Sequence, residues 1–175
     1  GKDRLGLLMD MGRHLRNYYE RAETRGEPLE ITINNGLHPA YFVAATTPSS
    51  AAPIDVDELA VASYLLGEPA RLCRSKTVGV EGLADAQMIM EAEILPHVRE
   101  PEGPFGEVSG YYATRADRWV VHVKAITMQK DPVIHMLHPG REVWNGQGLS
   151  VESNLFQTIG KQVPGLKKVY MTPGG

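Results

Sequence analysis

The chain has a single cysteine, Cys73. No intrachain disulfide can form, and this usage fits a protein kept in a reducing cytoplasm. Cys73 reads as a small core residue on a strand, the ordinary setting of a free thiol. No cluster of Lys or Arg offsets a formal net charge of −3, so nonspecific nucleic-acid binding is excluded as the main activity. No apolar run approaches the ~20 residues that a membrane helix needs, and the first residues lack the layout of a signal peptide. Neither a Rossmann nor a Walker glycine loop occurs, and neither CxxC nor HExxH is present. A nucleotide-like cofactor would then have to be held by scattered side chains and backbone. The six histidines are dispersed without local metal-ligand spacing. Long repeats and low-complexity tracts are also missing.

What is present suffices for a real core: 175 residues, 42% of them apolar. Residues 3–25 read as helical, with Leu5, Leu8, Met9, Leu15, Tyr18, Tyr19 and Ala22 as an imperfect stripe and Gly12 as a possible break. Gly26 and Pro28 end that helix. Strands are expected at 29–34, where apolar and polar residues alternate, and at 41–46, which is more apolar and so better buried. A capping pattern at Asp55-Val56-Asp57-Glu58, with Glu58 as the reciprocal acid, opens a helix that Gly67 closes. Further strands are expected at 70–80, 87–95, 109–113, 119–128, 133–137 and 167–171, with a helix at 149–163. The pattern indicates an α+β class, β-rich, a partly closed antiparallel barrel with flanking helices. The expected division is a helical segment over 1–28 leading into a barrel domain over 29–175.

The stretch with most chemistry is Glu102-Gly103-Pro104-Phe105-Gly106-Glu107, followed by Gly110-Tyr111-Tyr112. Carboxylates five positions apart do not share a helix face, and the proline and glycines oppose a helix. A loop between strands is expected, from which both acids could enter one partly apolar cleft. There their proton affinities would be driven apart, as acid/base work requires. Spacing alone favours a solvated acidic turn, since most Glu residues simply lie on the surface.

The six-residue string resembles the signature of the UbiD-type decarboxylases, which use a prenylated flavin mononucleotide (FMN). The resemblance continues through His14 and the run Tyr18 to Leu29, through Thr46-Thr47-Pro48, Glu58 and Leu66-Gly67-Glu68, and through Lys76-Thr77-Val78 and Met90 to Ile94. It covers about residues 11–170. Glu58 lies 44 residues before Glu102, the interval that the family shows. The resemblance implies a flavin-reductase-like split barrel. It implies that His14 and Glu58 are metal ligands, for Mn2+ or Mg2+ with K+ alongside, and that Thr46 and Thr47 touch the flavin. Glu102 and Glu107 would be catalytic acids, with Glu107 nearest the reactive centre of the flavin and Val108 along the substrate pocket. Its implied partners are a small carboxylic acid substrate, a flavin prenyltransferase that supplies the cofactor, and further copies of the chain. The family's metal-ligating asparagine and catalytic arginine precede the histidine, and its C-terminal domain follows the barrel. The chain is therefore expected to be the central domain of a longer protein and inactive by itself. A non-catalytic flavin-binding module and a self-assembling structural domain, using Trp119, Trp144 and Tyr170, are the alternatives from other classes.

Overall fold

The computed structural model describes residues 2–11, 13–47, 56–107, 110–138 and 141–172. The chain divides into two compact units. One comprises Gly1–Leu37, Arg71–Pro104 and Thr114–His135, and the other His38–Ala70, Phe105–Ala113 and Met136–Gly175.

The first unit is built on one antiparallel sheet. β5 (Met88–Glu102) and β6 (Ala116–Met128) form its long central pair. β1 (Arg4–Leu7) lies on the far side of β6, and β2 (Leu29–Asn35) on the far side of β5. A two-residue pair, β3 (Leu72–Cys73) with β4 (Gly82–Leu83), stands apart from it. The helix α1 (His14–Thr24) covers one face. Successive strand residues point to opposite faces, so Ile94 and Val121, which pair directly, share the face under α1. Tyr19, Met9 and Ala92 join them in the core, with Leu29, Ile31 and Trp119 packed around it. Ile94 is fully buried; burial of such a side chain contributes about 1.5–3 kcal/mol relative to leaving it in water.

The register of β5 slips twice, between Glu91 and Ala92 and between Ile94 and Arg99. The second slip contains Pro96, which has no N–H for the ladder, and His97, whose φ of 56° is left-handed. Both residue types of conformation belong at a bulge rather than in a regular ladder. His97 thus lies within β5, beyond the end of the strand expected over 87–95. Glu91, which alternation alone leaves half-exposed, is 2% exposed. It accepts hydrogen bonds from Lys76 N, Thr77 N and Thr77 Oγ1. Burial opposes its charge, but these bonds outweigh burial and hold the carboxyl below its ordinary range.

The second unit holds three helices. α2 (Pro39–Ala45) packs against both α3 (Glu58–Leu66) and α4 (Arg141–Gly160). A Cβ on Gly146 of α4 would lie 2.3 Å from Phe42 Cε1, so these two helices meet through the missing side chain. Ser150 Oγ donates to Thr46 O at the end of α2.

Several local expectations are corrected. Residues 3–25 are not one helix: 4–7 form an edge strand, and only 14–24 are helical. Leu15 and Tyr18 are exposed, while Tyr19 and Ala22 carry the contact. Residues 41–45 belong to α2, with Thr46 as its C-cap, and do not form a strand, because Pro39 opens a helix and His38 Nδ1 caps it by accepting from Ala40 N. The strand expected at 70–80 shrinks to Leu72–Cys73, and none forms at 133–137 or 167–171. In the last segment Met171 is tied to α4, its N–H donating to Glu152 and its carbonyl accepting from Trp144. The helix expected at 149–163 spans 141–160. Asp57 caps α3, accepting from Leu59 N at 2.8 Å, and Glu58 is the first helical residue rather than the third. Asp55 lies outside the described residues.

Candidate active site

His14, Thr46, Thr47, Glu58, Glu102 and Glu107 each have a definite local setting. In the first unit His14 is half-buried at the first position of α1. Glu102, also half-buried, is the last residue of β5, paired with Ala116 of β6. In the second unit Thr46 and Thr47 end α2, and Glu58 begins α3. Glu107 is exposed on a small hairpin in which Glu107 N donates to Tyr111 O and Ala113 N to Phe105 O. Gly106 and Tyr112 make the bridge between its arms, and Gly110 has the positive φ of its turn. The signature therefore leaves β5 at Glu102, passes Gly103 and Pro104, and enters the second unit at Phe105. Pro48, Val108 and Ser109 lie outside the described residues.

The hydroxyls of Thr46 and Thr47 are turned to their own helix. Thr46 Oγ1 lies 3.0 Å from Val43 O and accepts from Ser150 Oγ at 3.2 Å, while Thr47 Oγ1 donates to Val43 O. These bonds satisfy carbonyls at the C-terminus of α2. They leave Thr46 one acceptor position for anything else.

Around α1 the structure reveals a network that no local motif announces. Glu23 Oε1 accepts from Tyr19 OH at 2.5 Å, His97 N at 2.9 Å and Arg99 Nη2 at 2.9 Å. Burial pushes the Glu23 carboxyl up. The bonds from Tyr19, His97 and Arg99 prevail and bring it down to about 2. The Tyr19 hydroxyl is pushed up by burial and by its bond to Glu23. The Arg99 guanidinium also lies 5.0 Å from the Trp119 ring centre, and that of Arg16 lies 4.3 Å from it. This network fixes the helix that begins with His14 to the strand that ends with Glu102. The partners that join α1 to β5 are 74 and more residues apart in the chain, so spacing gives no sign of them.

Glu102 too has a neighbour that is distant in the chain. A Cβ built on Gly6 of β1 would fall 2.1 Å from Glu102 Oε1 and 2.4 Å from its Cδ. The end of the acid lies directly on bare backbone. A glycine in a strand is the one sequence sign of such an approach.

Among the described residues, no three His, Cys, Asp or Glu side chains gather as a metal-holding group. No helix there is long and apolar enough to cross a membrane.

Comparison with known proteins adds the following. The family model for UbiD, the 3-octaprenyl-4-hydroxybenzoate carboxy-lyase Rift-related domain, matches residues 1–142. An uncharacterized protein in the cooM 5′ region of Rhodospirillum rubrum is 44% identical over 175 residues, covering 100% of this chain and 38% of that protein. Anhydromevalonate phosphate decarboxylase of Methanothermobacter thermautotrophicus is 37% identical over 176 residues, covering 100% of this chain and 40% of the enzyme. The structure of the UbiD-class enzyme HmfF from Pelotomaculum thermopropionicum, in complex with FMN, superposes with a TM-score of 0.92 at 44% identity. That match covers 99% of this chain and 38% of HmfF. An evolved dimeric form of HmfF, in complex with the flavin derivative prFMN, matches equally well. The chain thus spans about two fifths of the length of the relatives it matches.

Proposed function

The chain belongs to the UbiD family, and on that premise we propose that it forms the central, cofactor-holding part of a decarboxylase. The substrate is an aromatic, heteroaromatic or α,β-unsaturated carboxylic acid, and the reaction is reversible. The observation that carries the reading is the 44%-identical match to HmfF with its flavin, over nearly the whole chain. That match includes the segment bearing both acids. The sheet then belongs to a split barrel of the flavin-reductase type, and the protein works in the cytoplasm as a homo-oligomer.

In this reading the cofactor is prenylated FMN, made by a flavin prenyltransferase, and it supplies the electron sink for the carbon that loses CO2. The residues of the chain do the rest. Departure of CO2 leaves an electron pair that must take up a proton. Glu107, in its neutral form, gives that proton, and Glu102 is the other acid of the pair. His14 and Glu58 bind the metal. One imidazole nitrogen and one carboxylate oxygen suit Mn2+ or Mg2+ in donor chemistry, with other oxygens completing the sphere and K+ alongside. Thr46 and Thr47 meet the flavin through the end of α2. The spare acceptor of Thr46 and the backbone there are the groups that remain available for it.

The test uses the full-length protein reconstituted with prenylated FMN and Mn2+. CO2 release from a panel of such acids is expected, and Glu107→Gln should lower the rate by about 10²–10⁴-fold. Full activity in that variant removes Glu107 from the chemistry. Tight binding of ordinary FMN with no turnover of any acid favours a non-catalytic flavin module.

A further inference from the structure

β1 presents Arg4 and Gly6, two apart and so on one face of the strand. β5 presents Glu100 and Glu102, also two apart. Arg4 Nη1 is ion-paired with Glu100, and the end of Glu102 lies against Gly6. Both contacts run on the same diagonal. Arg4 pairs with His122 on β6 while Glu100 pairs with Arg118. Gly6 pairs with Val120 while Glu102 pairs with Ala116. The two rungs differ only in what β1 offers: a guanidinium to one acid, an empty place to the other.

Glycine at position 6 is not needed for its backbone. Its φ is not left-handed, unlike those of Gly103 and Gly110. Inside a strand, glycine has no side chain to pack and loses more chain entropy than alanine. What it provides is room. A Cβ would stand 2.1 Å from Oε1, 2.4 Å from Cδ and 3.0 Å from Cγ of Glu102. Those atoms are the far end of a flexible side chain. An added methyl is accommodated by swinging Glu102 away, not by moving either strand.

We propose that Gly6 is a positioning residue for the reaction: its missing side chain is the socket that fixes the carboxyl of Glu102 on β1. This rests on the reading of Glu102 as a catalytic acid. It follows that one methyl at position 6 misplaces the acid while leaving the sheet intact.

The experiment compares Gly6→Ala, Glu102→Gln, Glu102→Asp and the double variants in the full-length protein loaded with prenylated FMN. It reads kcat, KM and the thermal midpoint of the cofactor-free form. Gly6→Ala is expected to lower kcat by on the order of 10²-fold with KM and the midpoint unchanged. Gly6→Ala should cost nothing further in the Glu102→Gln background. With Glu102→Asp, whose shorter side chain clears the methyl, its cost should shrink, a non-additivity that a purely structural role does not produce. Wild-type kcat in Gly6→Ala, with Glu102→Gln impaired, overturns the proposal. So does a loss that is additive in both backgrounds. If Gly6→Ala does not fold, Gly6→Ala/Glu102→Ala must fold, and failure of that pair overturns it as well. Full activity of Glu102→Gln refutes instead the underlying role of Glu102.

Discussion

Arg99 Nη2 lies 2.9 Å from Glu23 Oε1 and ties the last turns of α1 to β5. The folded Glu23 carboxyl titrates at about 2, against 4.5 for an unperturbed glutamate. A depressed folded pKa gives stability that is fully present above the unfolded value. It is lost as pH falls from about 4.5 toward about 2. Urea midpoints measured from pH 7 to pH 3 should therefore fall over the acidic part of that range. Glu23→Gln should flatten the slope and lower stability at pH 7 by about 1–3 kcal/mol. An unchanged acid limb in the variant would assign the effect to other carboxylates.

Glu91 is the buried anchor of the segment around Lys76 and Thr77. Glu91→Ala leaves two backbone N–H groups and a hydroxyl without their acceptor. A loss of about 3 kcal/mol or more is expected in urea unfolding. Amide exchange at Lys76 and Thr77 should quicken in the same variant. Slow exchange there after the substitution would mean that another acceptor takes over.

Gly67 ends α3 with φ 77°, and a Cβ there would meet nothing within 4 Å. The cost of Gly67→Ala is then backbone strain alone, about 1–2 kcal/mol. Gly67→Asn should lose less, since asparagine tolerates the left-handed region better. Equal losses in the two variants would contradict this account. The thermal midpoint decides between them.

For the proposed metal, His14→Ala and Glu58→Gln in the full-length protein are each expected to release Mn2+. The loss in affinity should exceed the about 10–100-fold typical of removing an outer-shell partner. Metal content after gel filtration reads this independently of turnover. Retention at the wild-type level in both variants would move the site elsewhere.

The single sequence was most informative where chemistry and pattern are local. The alternation at Leu29, Ile31 and Ile33 marks β2, and Gly26 and Gly67 mark helix ends. The Glu102–Glu107 string with its upstream blocks carries the family. It misled where short apolar runs fit either period. Residues 41–46 read as a buried strand, yet the N-terminal proline and the His38 cap make 41–45 helical. The edge strand β1 was illegible, because four residues become a strand only by pairing with β6 more than a hundred positions away.

The order of acids, histidine and threonines along the chain, and hence the family, was determined by sequence alone, since such strings depend on residue identity and spacing. Tertiary structure decided which of those groups stand on bare backbone, which are already bonded, and which partners meet from far apart. Glu102 rests on Gly6, Thr46 is turned to its own helix, and Glu23 meets Arg99. The physical reason is that such contacts depend on strand register and helix docking, which are set by the burial of the whole core rather than by any local run of residues.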